Sequence, residues 1–501
     1  MSDEVELKLA LPRKAVAALR RHPLFATAER RGNAATLENT YYDTAELALK
    51  DKRIALRTRR RGRTWLQTVK CGAPSTGGLT RRPEWESPFD GSFDFSSVRS
   101  ARVRKFLTRM EPQLVPVFST RFRREIRAYA PDDRVSILMM IDTGEVLAGE
   151  RIEPICELEL ELERGRPLDL LLLACRLVAD IPLLPDDVSK AERGYRLHLG
   201  QRPQPVRAEI SAVEADQSPV EAFRTLASSC VRQWQANASA AAEGSDPEFI
   251  HQLRVSQRRL RSLIRLFGPA LPEVFASDWS ERLRQNANSF GDARDLDVLC
   301  DEIVAPAAHE RSDEDPAIAR LQATVCEARE RARRQALEGL DAAAQGRLLI
   351  GFVAALHALP SNNLIGAADL RKFARLQLTR LRRKIRKRFE SARDLVPAKL
   401  HALRIALKQL RYGVEFFAPL MPARAMARYM KSLARVQNGL GFINDVDVAR
   451  TTLVKWAGDD SEMRAAAAFI CGWHAPRYTR QCRRAIRELE PLLYEKAPWS
   501  R

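Results

Sequence analysis

The sequence predicts two structural classes in one chain: an N-terminal α+β domain built on a closed antiparallel β-barrel, then an all-α region of tandem helical bundles. Three observations predict this. The 501 residues exceed one ordinary domain of roughly 100–200 residues. The first 200 residues hold short runs with two-residue alternation, among them EVELKLAL, RIALRTRR, TWLQTVK, VFSTRFRREIRAY, VSILMMID and PICELELELE, divided by turns such as CGAPSTGG and RGRP. Beyond about residue 215, Ala, Leu and Arg dominate and apolar residues recur at three- and four-residue spacing.

In chain order, helical periodicity appears inside the strand-rich part at Pro12–Arg21 and Leu168–Ile181. The polar stretch Gly200-Gln-Arg-Pro-Gln-Pro205, with its two prolines, suits a linker. The expected division is therefore residues 1–200, a linker at 201–214, and a helical region at 215–495. That region repeats itself. His251-Gln-Leu-Arg254-Val-Ser-Gln-Arg258-Arg-Leu-Arg261 returns as His401-Ala-Leu-Arg404-Ile-Ala-Leu-Lys408-Gln-Leu-Arg411, displaced by 401 − 251 = 150 positions. Asn288-Ser-Phe-Gly291-Asp-Ala-Arg-Asp295-Leu-Asp297 returns as Asn438-Gly-Leu-Gly441-Phe-Ile-Asn-Asp445-Val-Asp447 at the same offset. Two blocks that keep one displacement mark a tandem pair of bundles.

Charge narrows the function. Lys and Arg total 83 against 64 Asp and Glu, a net +19. Residues 1–200 hold 35 basic and 29 acidic side chains (+6), leaving 83 − 35 = 48 and 64 − 29 = 35 (+13) for the remainder. Such a basic half points to a polyanionic partner. No apolar run reaches the roughly 18 residues that cross a bilayer, which argues against a membrane protein. The start, MSDEVELKLA, lacks a basic segment followed by an apolar core, so the expected location is cytoplasmic. Eight cysteines without a CxxC pair read as buried thiols.

The strands carry their charges in rows. Period two puts Glu4, Glu6 and Lys8 on one face; Glu157, Glu159, Glu161 and Glu163 share another, and Arg57, Arg59 and Arg61 a third. On an open sheet these would be solvated faces. Rows of like charge repel, and a closed barrel with charges turned inwards would compensate acidic strands with basic ones. Carboxylates there would suit a hard divalent cation, and Arg and Lys would clasp phosphate oxygens.

These residues resemble a family. Glu4-x-Glu6-x-Lys8 is similar to the N-terminal signature of the CYTH superfamily, the triphosphate tunnel metalloenzymes. The likeness continues in order through Arg57-x-Arg59, Thr68-Val-Lys70, Gly77-Gly-Leu-Thr-Arg-Arg82-Pro-Glu84 and Phe118-Ser-Thr-Arg-Phe-Arg-Arg124. It ends with Asp142-Thr-Gly144-Glu145, the Glu157–Glu161 run and Ser189-Lys190-Ala-Glu-Arg-Gly-Tyr195. The helical half resembles CHAD, a module associated with polyphosphate binding. The combination is similar to bacterial inorganic triphosphatases that carry CHAD behind a CYTH barrel.

The resemblance implies Mg²⁺ or Mn²⁺ held by Glu4, Glu6, Glu159 and Glu161, with Glu157 and Asp142 as neighbouring candidates. It implies a triphosphate path lined by Lys8, Arg57, Arg59, Lys70, Arg82, Arg124 and Lys190. Among these, Glu4, Glu6, Lys8, Asp142 and Lys190 are the expected catalytic group. Arg121 and Arg123 lie on the strand face opposite Arg124, and the sequence alone fixes neither face as the inner one. The expected activity is hydrolysis of inorganic triphosphate to diphosphate and phosphate.

In the helical half, His251, Arg254, Arg258 and Arg261 fall at i, i+3, i+7 and i+10 on one helical stripe. His401, Arg404, Lys408 and Arg411 form its counterpart. Across a pseudo-twofold axis the two would make one basic groove for long-chain polyphosphate. The opposing reading pairs them with Asp295, Asp297, Asp445 and Asp447. Residues 371–388 carry ten basic side chains and no acid, which keeps a nucleic-acid-binding protein in view. At 7% aromatic content, stacking platforms for single strands are scarce, and no helix-turn-helix or RRM signature is visible. A thiamine triphosphatase or a class IV-like adenylyl cyclase would use the same barrel, and a non-catalytic polyphosphate-binding scaffold is a third rival. An association with polyphosphate granules is the corresponding expectation for location.

Overall fold

The computed structural model describes residues 4–62, 64–73, 75–209, 213–242, 246–311, 315–360 and 369–500. The chain divides into two compact units. The first comprises Met1–Val206, Gln235–Ala242 and Asp341–Ala358, and the second Arg207–Trp234, Glu243–Leu340 and Leu359–Arg501. Residues 210–212 of the expected linker lie outside the described residues. Among the described residues no single helix is long and apolar enough to cross a membrane, and the eight cysteines are free thiols.

The first unit is a curled antiparallel sheet. Its strands are β1 (Glu4–Ala10), β2 (Glu29–Arg30), β3 (Ala35–Asp43), β4 (Ile54–Arg61), β5 (Thr64–Cys71) and β6 (Ser75–Thr76). The remainder are β7 (Leu79–Arg82), β8 (Glu84–Pro88), β9 (Val115–Asp132), β10 (Val135–Ala148), β11 (Arg151–Arg164) and β12 (Leu184–Pro185). The ladder runs β6-β7-β1-β11-β10-β9-β3-β4-β5-β8, with β12 added to β1 and β2 to β9.

This corrects the expected closed barrel, because the hydrogen-bonded path is open. The reason lies at Pro83, between β7 and β8. Proline has no N–H to donate to a ladder. Before it, Arg82 pairs with Glu4 of β1; after it, Glu84 pairs with Lys70 of β5. The chain changes partner strands at that residue, so β8 ends one side of the ladder while β7, followed by β6, closes the other, instead of one shared strand.

The apolar face of the sheet is covered by helices, which leaves the charged face for the concave side. Leu7 and Leu9 of β1 and Leu158 and Leu160 of β11 are fully buried. The helix Pro167–Val178 packs over both strands, offering Leu170, Leu171, Leu173, Ala174 and Leu177. A second layer was not anticipated from sequence. The helix Ala342–Ala358, drawn from the helical half of the chain, packs on Pro167–Val178 and β12. On the concave side the short helix Lys190–His198 lies against β9, β10 and β11. Its approach is close: a Cβ at Gly194 would fall 2.0 Å from Phe118.

The second unit is helical, and its two repeats superimpose in register. The helix Pro247–Phe267 and a 3₁₀ turn Gly268–Ala270 match Pro397–Phe417 and Ala418–Leu420. The next helices start at Glu273 and Ala423; every one of these offsets is 150, as in 397 − 247. They then diverge. Ala423–Ala457 is one helix of 35 residues, whereas its counterpart breaks between Asn288 and Gly291. Packed phenylalanines, Phe267, Phe373 and Phe417, join the helices of both halves in one core.

Candidate active site and phosphate-binding clusters

Strand register assembles the charged interior. In the ladder Glu6 faces Glu161, Lys8 faces Glu159 and Ala10 faces Glu157, while Asp142 lies between Glu157 and Arg124. Alternation places these groups on the concave side, where Glu6 and Lys8 are each only 5% exposed and Asp142 is fully buried. The structure also separates Arg124 from its neighbours. Arg124 points inwards, while Arg121 and Arg123 are exposed on the other face, Arg121 beside Glu38 at 3.3 Å.

Two carboxylate groups result. In the first, one oxygen from each of Asp142, Glu157 and Glu159 lies within 4.8 Å of the others. Lys190 enters from the first position of its helix and donates to all three, at 2.7 Å to Asp142 Oδ2, 2.9 Å to Glu159 Oε1 and directly to Glu157. Arg124 donates to both oxygens of Asp142, at 2.7 and 2.6 Å, and to Glu159. The Lys190 ammonium also rests 4.8 Å from the Phe122 ring centroid, a further attraction for a cation. Burial raises the Glu157 carboxyl against the pull of Lys190, whereas Lys190 and Arg124 hold Glu159 well below the usual range despite burial.

The second group is centred on β1. Lys70 donates to Glu4 at 2.9 Å and lies 2.6 Å from Glu84. Arg82 donates to Glu4 at 3.3 Å and to Glu6. Glu161 shares this region without an ion pair of its own among the described residues; burial, then Glu4, pushes its carboxyl up to about 7. Thus Glu4 and Glu6 gather with Glu161 and Glu84, and Asp142, Glu157 and Glu159 form a distinct cage. The six expected metal ligands are therefore not drawn into one set.

Guanidiniums crowd the opposite wall. Arg57 on β4 is 8% exposed and lies 3.8 Å from Glu84. Arg59 donates to Asn39 Oδ1 at 2.7 Å. Burial lowers the Arg59 guanidinium to about 9, and the positive charges of Arg57 and Arg124 add to that. Unrelieved like charges inside a protein mark a place built for an anion. Lys8 donates to the Val188 carbonyl at 2.8 Å, its own carbonyl approached by Gly78, where a Cβ would stand 2.4 Å away. Gly78, with φ +81°, is thus more than a turn residue.

Three contributors had escaped sequence reasoning. Glu84 ends the Gly77–Glu84 likeness but had no expected role, Glu86 lies within reach of Thr68 at 3.3 Å, and Tyr41 is a buried partner of Arg57 whose phenol is lowered by Arg57 against the effect of burial. Tyr41 and Glu84 are visible only once strand register sets them opposite Arg57 and Lys70.

In the helical unit the two stripes meet at Arg258, Arg404 and Lys408. Burial, then Arg258 and Arg404, draws the Lys408 ammonium down to about 7. Arg404 is lowered by burial, with Arg258 adding to it; its acidic neighbour Asp445 stands 3.9 Å away. Of the other aspartates, Asp297 is taken by Arg333 at 2.7 Å and Asp447 accepts from Tyr478 at 3.1 Å. Asp295 lies near both Arg404 and Lys408. Arg254 donates to the Ala287 carbonyl at 3.3 Å, and Arg258 to Tyr412 at 3.2 Å. His251 is held to about 4 by burial and Arg294, so it is a neutral imidazole near pH 7. His401 is exposed and bonded to Asn444. Arg261 lies near Arg265 and Arg284, both of which lower it after burial, and Arg411 is half-buried on the second stripe.

A curled sheet with carboxylates and guanidiniums on its concave face, followed by a duplicated helical bundle, defines the class. Residues 2–195 match the CYTH domain and residues 225–454 the CHAD domain. The chain carries a CYTH domain followed by a CHAD domain. The inorganic triphosphatase of Haemophilus influenzae is 30% identical over 197 residues, which is 39% of this chain and 55% of that protein; the chain thus spans about half the length of that relative. The crystal structure of the CHAD domain of the plant Ricinus communis is 29% identical, covers 59% of this chain and 98% of its own, and has a TM-score of 0.49. A Hippeastrum protein, described as an adenylyl cyclase candidate that reveals a dominant triphosphatase activity, is 19% identical, covers 40% of this chain and 97% of its own, and has a TM-score of 0.30.

Proposed function

We propose that residues 1–200 hydrolyse inorganic triphosphate with the aid of Mg²⁺ or Mn²⁺, and that residues 215–495 bind long-chain polyphosphate. The observation that carries the first part is the Arg57–Arg59–Arg124 crowd beside two carboxylate groups, with Arg59 lowered to about 9. Phosphoryl transfer is achieved mainly by positioning and electrostatic stabilisation, and that interior offers both signs of charge at short range. Arg57, Arg59 and Arg124 bind and orient the phosphate chain. Lys8, Lys70, Arg82 and Lys190 neutralise its remaining oxygens.

The carboxylates fit a hard divalent cation by donor chemistry. Asp142, Glu157 and Glu159 would hold one, their oxygens already within 4.8 Å of each other, and Glu4, Glu6 and Glu161 form the second set of oxygen donors. When bound, the ion supplies neutralisation of phosphate charge and a more acidic water. The two-signed interior favours a bare inorganic substrate over thiamine triphosphate or ATP, since cations and carboxylates dominate it and Tyr41 is already engaged by Arg57. The second part of the proposal is supported by Arg258, Arg404 and Lys408, cations from both repeats close enough that Arg258 lowers both Arg404 and Lys408. Cytoplasmic location beside polyphosphate granules follows from the same reading.

The test is phosphate release from inorganic triphosphate, thiamine triphosphate, ATP and long-chain polyphosphate, with Mg²⁺, Mn²⁺ or EDTA. Glu6→Gln should lower turnover of inorganic triphosphate by about 100-fold or more, the scale of losing a strong transition-state interaction. Full activity in EDTA, or faster turnover of ATP, would replace this reading with another.

A further inference from the structure

The helix Leu370–Ala392 spends its basic side chains in two ways. Two serve the fold: Arg382 donates to the Leu492 carbonyl at 3.0 Å and Arg386 to that of Leu493, which caps the end of the helix Ala475–Tyr494. Its apolar face, with Phe373, Leu378, Ile385 and Phe389, is buried. Leu378 approaches the helix Pro397–Phe417 so closely that a Cβ at Gly413 would lie 3.2 Å from it. The opposite face is different. Lys372, Arg375, Arg380, Arg383, Lys384 and Lys387 are all exposed, and their side chains form no ion pair or hydrogen bond among the described residues.

Some exposed arginines elsewhere in this unit, such as Arg480, Arg483 and Arg487 on Ala475–Tyr494, likewise have no ion pair among the described residues. Others are matched on their own helix: Arg282 with Asp278 at 2.9 Å, Arg284 with Glu281 at 2.6 Å, Arg484 with Glu488 at 2.7 Å. The stripe does the reverse. Lys372/Arg375, Arg380/Arg383, Arg380/Lys384, Arg383/Lys387 and Lys384/Lys387 place like charges at i+3 or i+4, where they repel and disfavour the helix. A polyanion along this face would relieve every pair and release its own counterions. From Lys372 to Lys387 the row is about 22 Å long at 1.5 Å per residue.

The shape selects among polyanions. The cations spread over one convex helix face, which a linear chain of phosphates can follow. The other exposed side chains between these cations are Leu376 and Thr379, so there is no aromatic platform for unstacked bases and no amide to read base edges. One exposed leucine is a poor anchor for a membrane, which would be gripped by an apolar face.

We infer that the outer face of Leu370–Ala392 is a second track for linear polyphosphate, engaged by chains long enough to extend beyond the Arg258–Arg404–Lys408 cluster. This rests on the reading that the helical unit binds polyphosphate. The two faces are separate: the cluster lies on Pro247–Phe267 and Pro397–Phe417, and the track on the side of Leu370–Ala392 turned away from the latter.

The experiment titrates the full-length protein with short-chain and long-chain polyphosphate, duplex DNA and phosphatidylserine vesicles at several salt concentrations. An Arg375→Gln, Arg380→Gln, Arg383→Gln, Lys387→Gln variant should bind long chains about 10-fold or more weakly, its log–log salt slope falling by about 0.7 for each phosphate no longer neutralised. Short-chain binding should be unchanged. Its melting temperature should not fall, because glutamine is a good helix former and the repulsions are gone. Unchanged long-chain affinity, or equal loss for both lengths, overturns the track. Stripe-dependent binding that is tighter for DNA or vesicles than for long polyphosphate at matched salt overturns the occupant. An Arg258→Gln, Lys408→Gln variant separates the two readings: if it keeps all short-chain binding, the inner cluster fails while the track stands. If only the inner variant loses affinity, the track fails alone.

Discussion

Lys190 Nζ lies 2.7 Å from Asp142 Oδ2, and Asp142 has no exposure to solvent. An ammonium there satisfies three carboxylates that would otherwise repel one another in a region of low dielectric. Lys190 is placed by the start of its helix, where Ser189 accepts from the Glu192 N–H at 3.1 Å and Glu192 accepts from the Ser189 N–H at 2.8 Å. The capping box fixes where the lysine begins, and the cage fixes where it ends.

Replacing it should therefore be costly. Lys190→Met strands buried charge, and removing one member of such a network costs about 3–5 kcal/mol. Thermal unfolding should show the drop. Mg²⁺ should then raise the melting temperature of the variant more than that of the wild type, because the cage has lost its internal cation. Equal metal shifts in the two proteins would mean that ammonium and metal do not share this place.

Glu161 supplies a pH test in the same interior. Burial and Glu4 raise its carboxyl to about 7, above the unfolded value of about 4.3. The proton held by the folded state stabilises it fully below the unfolded value, and this contribution is lost as the pH rises through about 7. The wild-type melting temperature should therefore decline between pH 5 and 8 (about the span between the two values) more than that of Glu161→Gln, which cannot ionise. Parallel pH profiles for the two proteins would refute the shift.

Much of this interior was legible in the sequence because strand periodicity is rigid. Glu4, Glu6 and Lys8 could only share a face, and so could Glu157, Glu159 and Glu161. What alternation cannot supply is which face turns inwards: both parities of β9 carry arginines, and only packing of Phe122 beside Arg124 decides it. Partition of the carboxylates into two groups was invisible too, since it depends on Lys190 arriving from a helix and on Lys70 and Arg82 arriving from other strands. The open ladder hinges on one proline, Pro83, and alternation alone does not mark the change of partner strand there. In the helical half the 150-residue offset was plain, yet nothing in the sequence assigned Ala342–Ala358 to the first unit, because its apolar residues fit any helical core.

That helix yields a packing prediction. A methyl group at Gly346 would fall 1.8 Å from the Leu183 carbonyl oxygen, too close to be absorbed by a side-chain rotation. Gly346→Ala should destabilise the protein by about 1–3 kcal/mol, as overpacking does. Gly441→Ala is the control: nothing lies within 4 Å of its Cβ position inside Ala423–Ala457. There the better helix former should be neutral or stabilise by up to about 1 kcal/mol. Denaturant titration of the two variants compares them directly, and equal effects would defeat the helix placement.

Lys408 gives the last prediction, because its ammonium is drawn to about 7 by burial and by Arg258 and Arg404, against the opposing pull of Asp445 and Asp295. Below that pH the cluster carries its full charge; above it Lys408 is neutral. Polyphosphate affinity should therefore fall as the pH rises through about 7. A bound anion favours the charged amine, so binding just above neutrality should take up protons, visible in calorimetry as a heat that changes between buffers of different protonation enthalpy. Stability of the free protein should run the other way. A folded value below the unfolded one of about 10.4 gives a contribution present above the unfolded value and lost as the pH falls through about 7. Raising the pH thus relieves the crowded cluster while weakening its hold on the ligand. Lys408→Arg keeps the charge across this range, and its binding should lose most of the pH dependence. If the arginine variant tracks the wild type from pH 6 to 8.5 (about one unit either side of the expected midpoint), Lys408 is not the titrating group and the shared cluster does not control affinity.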